Sequence, residues 1–197
     1  MHLLKLYSVG DFEHLERPDK FRGSTLQSSA LEVLTDFNAS KAYVVESNTK
    51  IHEIETMMSK AHVRLKFVID KDERFLGLVT VSDLARENLK KFLDAGFDIS
   101  NITATDIMTP KSQLMAFDYE ELKQSTIGDI LTSLQLTNVH HCLVIDNSSH
   151  MIRGLISASD VARNLDFKVP YDQTSSFMEL YDILVEKMSL EARASGS

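Results

Sequence analysis

The chain contains an internal repeat, and this repeat constrains the fold more than any other feature of the sequence. Residues 77–83 read GLVTVSD, and residues 154–160 read GLISASD. Upstream, TKIHEIETMM at 49–58 aligns with STIGDILTSL at 125–134, with their isoleucines in register. The segments LKFVID and HCLVID, each ending in an aspartate, lie between these matches. Apolar positions and a polar signature repeat together, so we interpret the chain as two copies of one structural unit.

Each copy predicts the same order of elements. A short strand (41–46 or 113–118) leads to a helix whose apolar residues recur at helical spacing. A strand, a polar hairpin turn, a second strand and a second helix follow, which gives the order β-α-β-β-α. A unit of about 60 residues buries too little surface alone, so we expect the two sheets to pack together in one mixed α/β (α+β) module. The expected helix caps are Thr49, Thr126, Ser82 and Ser159.

The segments outside the two copies predict additional helices. Residues 24–37 carry an apolar stripe at helical spacing, and residues 175–188 carry another. The connector includes a predicted short helix at 103–108. The resulting division is an N-terminal extension with a helix (1–37), a first repeat (38–93), a linker (94–107), a second repeat (108–168), and a C-terminal helix and tail (169–197).

Charge and composition argue against several classes of partner. The chain has 21 Lys and Arg against 29 Asp and Glu, a net charge of −8, which disfavours binding to nucleic acid. No run of apolar residues is long enough to span a membrane, and the N-terminus lacks the features of a signal peptide. Cys142 is the single cysteine, which excludes an intrachain disulfide. We therefore expect a cytoplasmic protein with no membrane partner.

The repeated heptapeptide suits a ribose 5′-phosphate. Gly77 and Gly154 permit either a close backbone approach or an unusual dihedral angle. The hydroxyl groups that follow each glycine lie where a helix begins, beside free N–H groups that favour a phosphate. Asp83 and Asp160 can accept hydrogen bonds from a diol, and an arginine follows each aspartate by three residues. The alternative is that these serines, threonines and aspartates only cap a helix.

The two motifs and the DIMTP segment at 106–110 resemble a pair of cystathionine β-synthase (CBS) domains, also called a Bateman module. The resemblance covers about residues 38–168 and includes both copies. It implies an intertwined module with pseudo-twofold symmetry and two clefts. Members of the family bind AMP, ADP, ATP and in some cases S-adenosylmethionine or dinucleotides in these clefts.

The resemblance also assigns the residues of each cleft, because one repeat supplies the phosphate and ribose contacts and the other encloses the base. The first cleft is expected to contain Leu78, Thr80, Ser82, Asp83, Thr109, Leu114, Val139 and His140. The second is expected to contain Asn38, Tyr43, Val63, Arg64, Leu155, Ser157, Ser159 and Asp160.

The two clefts are expected to differ. Arg64 brings a fixed cation to the Asp160 cleft, and its guanidinium matches phosphate oxygens. The Asp83 cleft receives His140, with His141 as a further candidate, and the charge of a histidine changes near neutral pH. Glu120 and Glu121 lie near the short strand (113–118) that approaches the Asp83 cleft, and they disfavour a triphosphate in that cleft. The sequence therefore predicts tighter, more phosphate-rich binding in the Asp160 cleft.

No catalytic or metal constellation accompanies the motifs. His140, His141 and Cys142 are adjacent on a predicted strand, so their side chains alternate between faces and do not converge on a metal. We therefore expect a nucleotide sensor that requires no cofactor and is not an enzyme. The family resemblance further implies a homodimer through helices at 83–93 and 160–166, with an unidentified protein partner.

Two other functions remain open. The first is an interaction or dimerisation module in which the motifs serve only as helix caps. The second is an enzyme that acts on a nucleotide or its phosphoester. S-adenosylmethionine and NAD are the alternative ligands.

Overall fold

The computed structural model describes residues 23–167 and 176–195, which form a mixed α/β fold with two four-stranded sheets. The strands are β1 (Leu34–Asp36), β2 (Val44–Glu46), β3 (Leu65–Ile69), β4 (Phe75–Thr80), β5 (Thr109–Pro110), β6 (Ala116–Asp118), β7 (His141–Asp146) and β8 (Met151–Ser157). The α-helices are α1 (Ile51–Ala61), α2 (Arg86–Asp94), α3 (Ala104–Ile107), α4 (Tyr119–Leu122), α5 (Ile127–Leu134), α6 (Ala158–Asn164) and α7 (Phe177–Ser195).

Each sheet includes one outer strand from outside its own repeat. One sheet has the order β2-β3-β4-β5, and the other has the order β6-β7-β8-β1. In each, the first pair is parallel and the other two pairs are antiparallel. Strand β5, at the start of the second repeat, therefore joins the first sheet, and β1, which precedes the first repeat, joins the second. This arrangement confirms the predicted pseudo-twofold fold of two β-α-β-β-α repeats.

Gly77 and Gly154 make this exchange possible. A Cβ atom on Gly77 would lie 2.3 Å from the Thr109 carbonyl oxygen, and one on Gly154 would lie 2.5 Å from the Thr35 carbonyl oxygen. Neither glycine has a positive φ. Each repeated glycine therefore allows a neighbouring strand to approach its backbone closely. Of the two roles that the sequence permitted, close approach is present and an unusual dihedral angle is not.

The predicted helix at 24–37 is wrong. Residues Ala30–Val33 form a short 3-10 turn, and the chain then extends into β1. The backbone N–H of Ala30 donates to the Ser125 carbonyl at 2.9 Å, and Leu34 pairs with Ile156. Pairing with β8 supplies hydrogen bonds that override the helical spacing of the apolar side chains. Residues 1–22 of the predicted extension lie outside the described part of the chain.

Two smaller expectations about side chains also fail. Lys50, not Thr49, occupies the N-cap position of α1. Met57, which the apolar spacing places in the core, is 43% exposed, while Met58 is buried. The cap predicted at Thr126 is confirmed, since its Oγ1 accepts a hydrogen bond from the Asp129 N–H at 3.2 Å.

Three apolar clusters hold the fold together. One lies between the first sheet and its helices and includes Ile54 and Val68. The second lies between the other sheet and its helices and includes Ile130 and Val144. The third contains Phe67, Leu78 and Leu143, one or more from each sheet, and joins the two sheets face to face. The predicted packing of sheet against sheet is therefore present.

The C-terminal helix belongs to the second repeat. Phe177 and Leu180 of α7 are fully buried in the same cluster as α5 and α6. Residues Tyr181 and Leu184 pack against this cluster from the same helix, as the apolar stripe predicts. The helix continues to Ser195, well into the segment expected to be a tail. No helix in the described ranges is long and apolar enough to cross a membrane.

Candidate functional site: two clefts between the repeats

The repeated Thr/Ser-x-Ser-Asp segments form reciprocal caps at the ends of β4 and β8. Asp83 Oδ2 accepts hydrogen bonds from the backbone N–H and the hydroxyl of Thr80, both at 2.7 Å. Ser157 Oγ donates to Asp160 Oδ2 at 2.6 Å and accepts from the Asp160 N–H at 3.0 Å. Thr80 and Ser157 are therefore the cap residues, and the caps expected at Ser82 and Ser159 are wrong.

The same cap occurs twice elsewhere, which shows what the motif does by itself. Asp106 Oδ2 accepts from the Thr103 N–H at 2.8 Å, and Asp129 Oδ2 accepts from the Thr126 N–H at 2.8 Å. Neither of these pairs lines one of the two clefts described below. A Thr-x-x-Asp cap is thus a structural device, and its position at a cleft distinguishes the copies at Asp83 and Asp160.

The first cleft has a volume of about 230 Å³ and lies beside the Asp83 motif. All eight residues assigned to it from the sequence line its wall: Leu78, Thr80, Ser82, Asp83, Thr109, Leu114, Val139 and His140. His141, a candidate companion of His140, also lines it, and the sequence did not indicate four further lining residues: Arg64, Val81, Gln113 and Met115. Both repeats therefore contribute to this cleft.

The second cleft, beside the Asp160 motif, is larger, with a volume of about 1020 Å³. Seven of the eight predicted residues line it: Tyr43, Val63, Arg64, Leu155, Ser157, Ser159 and Asp160. Asn38 does not line this cleft, because it lies in the turn after β1, where its backbone N–H donates to Asp36 Oδ1 at 2.8 Å. Lys41, Lys66 and Arg163 are cationic lining residues that the assignment omitted.

Arg64 and His141 line both clefts and so form a wall between them. The sequence assigned Arg64 to the second cleft alone, because it had no means of showing how close the two sites lie. Burial lowers the pKa of His141 to about 4, with further lowering by His140 and Arg64 and an opposing effect of Asp160. His141 is therefore neutral near pH 7, and Arg64 is the fixed charge of the shared wall.

The two clefts differ in charge as well as in volume. Four cationic side chains line the second cleft, together with a single carboxylate, Asp160. Arg163 Nη1 contacts that carboxylate at 2.7 Å. The first cleft has one arginine, Arg64, and one carboxylate, Asp83. Arg86, which aligns with Arg163, is exposed on α2 and does not line the first cleft.

His140, which lines the first cleft, has one buried ring nitrogen, Nδ1, without a hydrogen-bond partner among the residues that the structure describes. Its backbone carbonyl accepts from the Ala158 N–H at 3.0 Å, which fixes the residue at the start of α6.

The described residues give no support for a metal site or for a reactive thiol. No group of three or more His, Cys, Asp and Glu side chains in these ranges is arranged to hold a metal ion. Cys142 is 1% exposed, and burial raises the pKa of its thiol to about 12. Cys142 therefore behaves as a small apolar residue, as its position in an apolar strand predicts.

The neutral state of His141 predicts a loss of stability in acid. The unfolded chain takes up a proton near the ordinary histidine pKa of 6.5, whereas the folded protein does so near pH 4, so protonation favours unfolding between these values. We expect this group to cost about 2 kcal/mol between pH 7 and pH 5. Replacing His141 by Leu, the residue at the equivalent position 65, should remove that part of the pH dependence in urea unfolding. If the wild type and the variant lost equal free energy of unfolding between pH 7 and pH 5, His141 would not be the source of the pH dependence.

Comparison with known proteins agrees with the fold, a module of two α/β repeats joined by exchanged strands. Residues 34–90 match the family model of the CBS domain. Residues 34–90 are thus similar to a CBS domain, and the described chain has the fold of solved CBS-domain proteins. The family match covers the first repeat, and the internal repeat and the fold relate the second to it.

Several solved structures share this fold at low sequence identity. An uncharacterized conserved protein from Pyrococcus horikoshii is 19% identical, with a TM-score of 0.54 over 74% of this chain and 98% of that one. A CBS-domain protein from Agrobacterium tumefaciens is 18% identical, with a TM-score of 0.53 over 73% and 96%. CBSX2 from Arabidopsis thaliana in complex with AMP is 19% identical, with a TM-score of 0.50 over 69% and 94%.

One curated relative is an uncharacterized 17.7 kDa protein from Acidianus ambivalens. It is 26% identical over 125 residues, which is 64% of this chain and 68% of the relative.

Proposed function

We propose that the protein is a regulatory module that binds adenosine nucleotides in the clefts between its two repeats and has no catalytic role. The observation that carries this proposal is the convergence of both repeats on each cleft. Around the first cleft, the Asp83 motif faces Val139 and His140 of the second repeat. Around the second cleft, the Asp160 motif faces Tyr43 and Arg64 of the first repeat.

The chemistry of each motif suits a nucleotide. Two hydroxyl groups and a carboxylate lie at one wall of each cleft, where they can bind a phosphate and a ribose diol respectively. Apolar residues such as Leu78 and Leu155 line the same clefts and provide surface for a base. AMP is bound in CBSX2, which has this fold, and this supports an adenine nucleotide as the ligand.

The charges support different ligands in the two clefts. The second cleft is both larger and richer in cations, so we propose that it holds the more highly phosphorylated nucleotide. The first cleft, with Arg64 opposed by Asp83, suits a monophosphate or a nucleoside. Binding in both at once places two ligands against the shared wall of Arg64 and His141.

The C-terminal helix offers a route from the first cleft to a partner. The N–H of Phe177, at the start of α7, donates to the carbonyl of Val139 at 3.0 Å, and Val139 lines the first cleft. A ligand that draws the two repeats together changes the position of Val139 and with it the start of α7. Such a ligand shifts an equilibrium only by the difference between its affinities for the two states.

Helix α2 is the proposed surface for a homodimer. Leu93, Phe97 and Ile99 are exposed apolar residues at and just beyond its C-terminal end. The corresponding helix α6 already packs against α7, so we propose that the dimer forms through α2 rather than through both helices. Sedimentation equilibrium of the purified protein measures this association.

Thermal unfolding with AMP, ADP and ATP tests nucleotide binding. A ligand held at 100 times its dissociation constant should stabilise the protein by about 2.7 kcal/mol, which raises the unfolding midpoint. Asp160→Ala and Asp83→Ala should each reduce this shift by removing the carboxylate of one cleft. Asp129→Ala is the matched control, because it removes the same type of cap at α5 away from both clefts.

The control separates capping from binding. Asp129→Ala should lower the midpoint of the ligand-free protein and leave the ligand-induced shift intact. If no nucleotide raises the midpoint of the wild type, the proposal fails and the motifs serve only as caps. If S-adenosylmethionine or NAD alone raises it, the clefts bind a different adenosine ligand.

A further inference from the structure

Lys66 is a buried lysine on β3. It is 6% exposed, and a lysine is almost never buried to this extent without a partner. The equivalent residue of the second repeat, Cys142, lies in the apolar core of its own half. The first repeat therefore has a cation at a position where the second repeat has a small apolar side chain, and the fold does not require a charge there.

The protein satisfies the Lys66 ammonium only weakly. Its Nζ lies 3.5 Å from the Val44 carbonyl oxygen and 5.7 Å from the centre of the Tyr43 ring. None of the ion pairs between described residues includes Lys66. An ammonium group has three donors, and burial lowers the pKa of Lys66 because the charged form loses hydration. In the ligand-free protein this charge is therefore unfavourable.

Lys66 lines the second cleft, together with Tyr43 and Val44. Lys41 and Arg64 add two more cations from the same repeat, and no carboxylate of the first repeat is among the lining residues. Across the cleft, Asp160 is engaged by Arg163 at 2.7 Å. Lys66 therefore has no carboxylate partner among the described residues, and a polyanionic ligand in this cleft can supply an anionic partner.

We infer that Lys66 determines the specificity of the second cleft, by selecting a nucleoside di- or triphosphate over a monophosphate or an uncharged nucleoside. This inference rests on the proposed function, since it requires a nucleotide in that cleft. The phosphate chain supplies the acceptors that Lys66 lacks within the protein. Burial of the ammonium destabilises the ligand-free protein, and the same buried charge favours ligands that carry more phosphate groups.

Isothermal titration calorimetry of ATP, ADP, AMP and adenosine with Lys66→Met tests this assignment. The titrations use Asp83→Ala protein, in which the first cleft has lost its carboxylate, so that the second cleft is measured. Lys66→Met should weaken ATP binding by about tenfold or more and change adenosine binding by less than about threefold. Lys60→Met, at an exposed position on α1, is the control and should leave all four affinities unchanged.

Stability provides a second readout. Ligand-free Lys66→Met should unfold at the same urea concentration as its parent or at a higher one, because a buried charge is removed. If Lys66→Met does not fold, Lys66→Cys is used in its place, because cysteine is the residue at the equivalent position of the second repeat. A lower midpoint with equal losses of ATP and adenosine affinity would show a purely structural role.

The outcomes also separate this inference from the proposed function. If wild-type protein binds none of the four compounds, the proposed function itself fails. The Lys66 inference alone is overturned if ATP binding is unchanged by Lys66→Met, or if Asp83→Ala by itself abolishes ATP binding.

Discussion

Replacement of Phe177 by alanine is expected to destabilise the protein by about 3–5 kcal/mol, the range for loss of a fully buried phenylalanine ring. The side chain is 0% exposed and packs in the core cluster of the second repeat with Val161 and Leu180. Its removal leaves a cavity between α7 and the helices beneath it. Urea unfolding followed by circular dichroism measures the change in the free energy of unfolding.

Met178→Ala is the control for this experiment. Met178 is the next residue on the same helix and is 36% exposed, so its truncation should cost well under 1 kcal/mol. Similar small losses for both variants would mean that α7 does not complete the core. In that case α7 would also be unsuited to carry a signal from Val139.

Replacement of Gly154 by alanine is expected to cost about 2–4 kcal/mol, because the added methyl group collides with the crossing strand. Its Cβ would lie 2.5 Å from the Thr35 carbonyl oxygen and 2.7 Å from Leu34 Cδ1. The first of these is a backbone atom held in the β1–β8 pairing, so relief requires the strands to separate. Gly77→Ala should have a comparable effect at the β4–β5 pairing.

Gly23→Ala is the matched control, since a Cβ there has no neighbouring atom within 4 Å. Both variants also reduce backbone freedom in the unfolded state, so the control measures that contribution. Equal stabilities of Gly154→Ala and Gly23→Ala would contradict the close approach of β1 to β8. Hydrogen exchange at the β1 amides would then show whether the strand is paired.

Both predictions concern contacts between segments that are distant in sequence, and such contacts limit what the sequence can predict. The helical spacing at 24–37 was real, since Ala30 and Val33 are buried. It was nevertheless a poor guide to local structure, because a strand that pairs with β8 buries the same residues. Periodicity reports which side chains are apolar, and the partner decides the backbone conformation.

The sequence by itself determined the repeat and the order of elements within it, and its resemblance to CBS domains placed fifteen of the sixteen assigned residues at the clefts. The repeat and its elements follow from local patterns: apolar spacing, turn residues, and a polar motif that occurs twice. The likeness between the copies predicted two units packed sheet to sheet, and the resemblance to CBS domains added the pseudo-twofold arrangement.

Only the tertiary structure decided how the two clefts differ and where they meet. Arg64 and His141 became a shared wall because β3 and β7 approach each other, and no local pattern records that approach. Lys66 and Cys142 occupy the same position in the repeat, yet one faces a cleft rich in cations and the other an apolar core. Charge and burial depend on neighbours from the other repeat, and the fold alone brings those neighbours together.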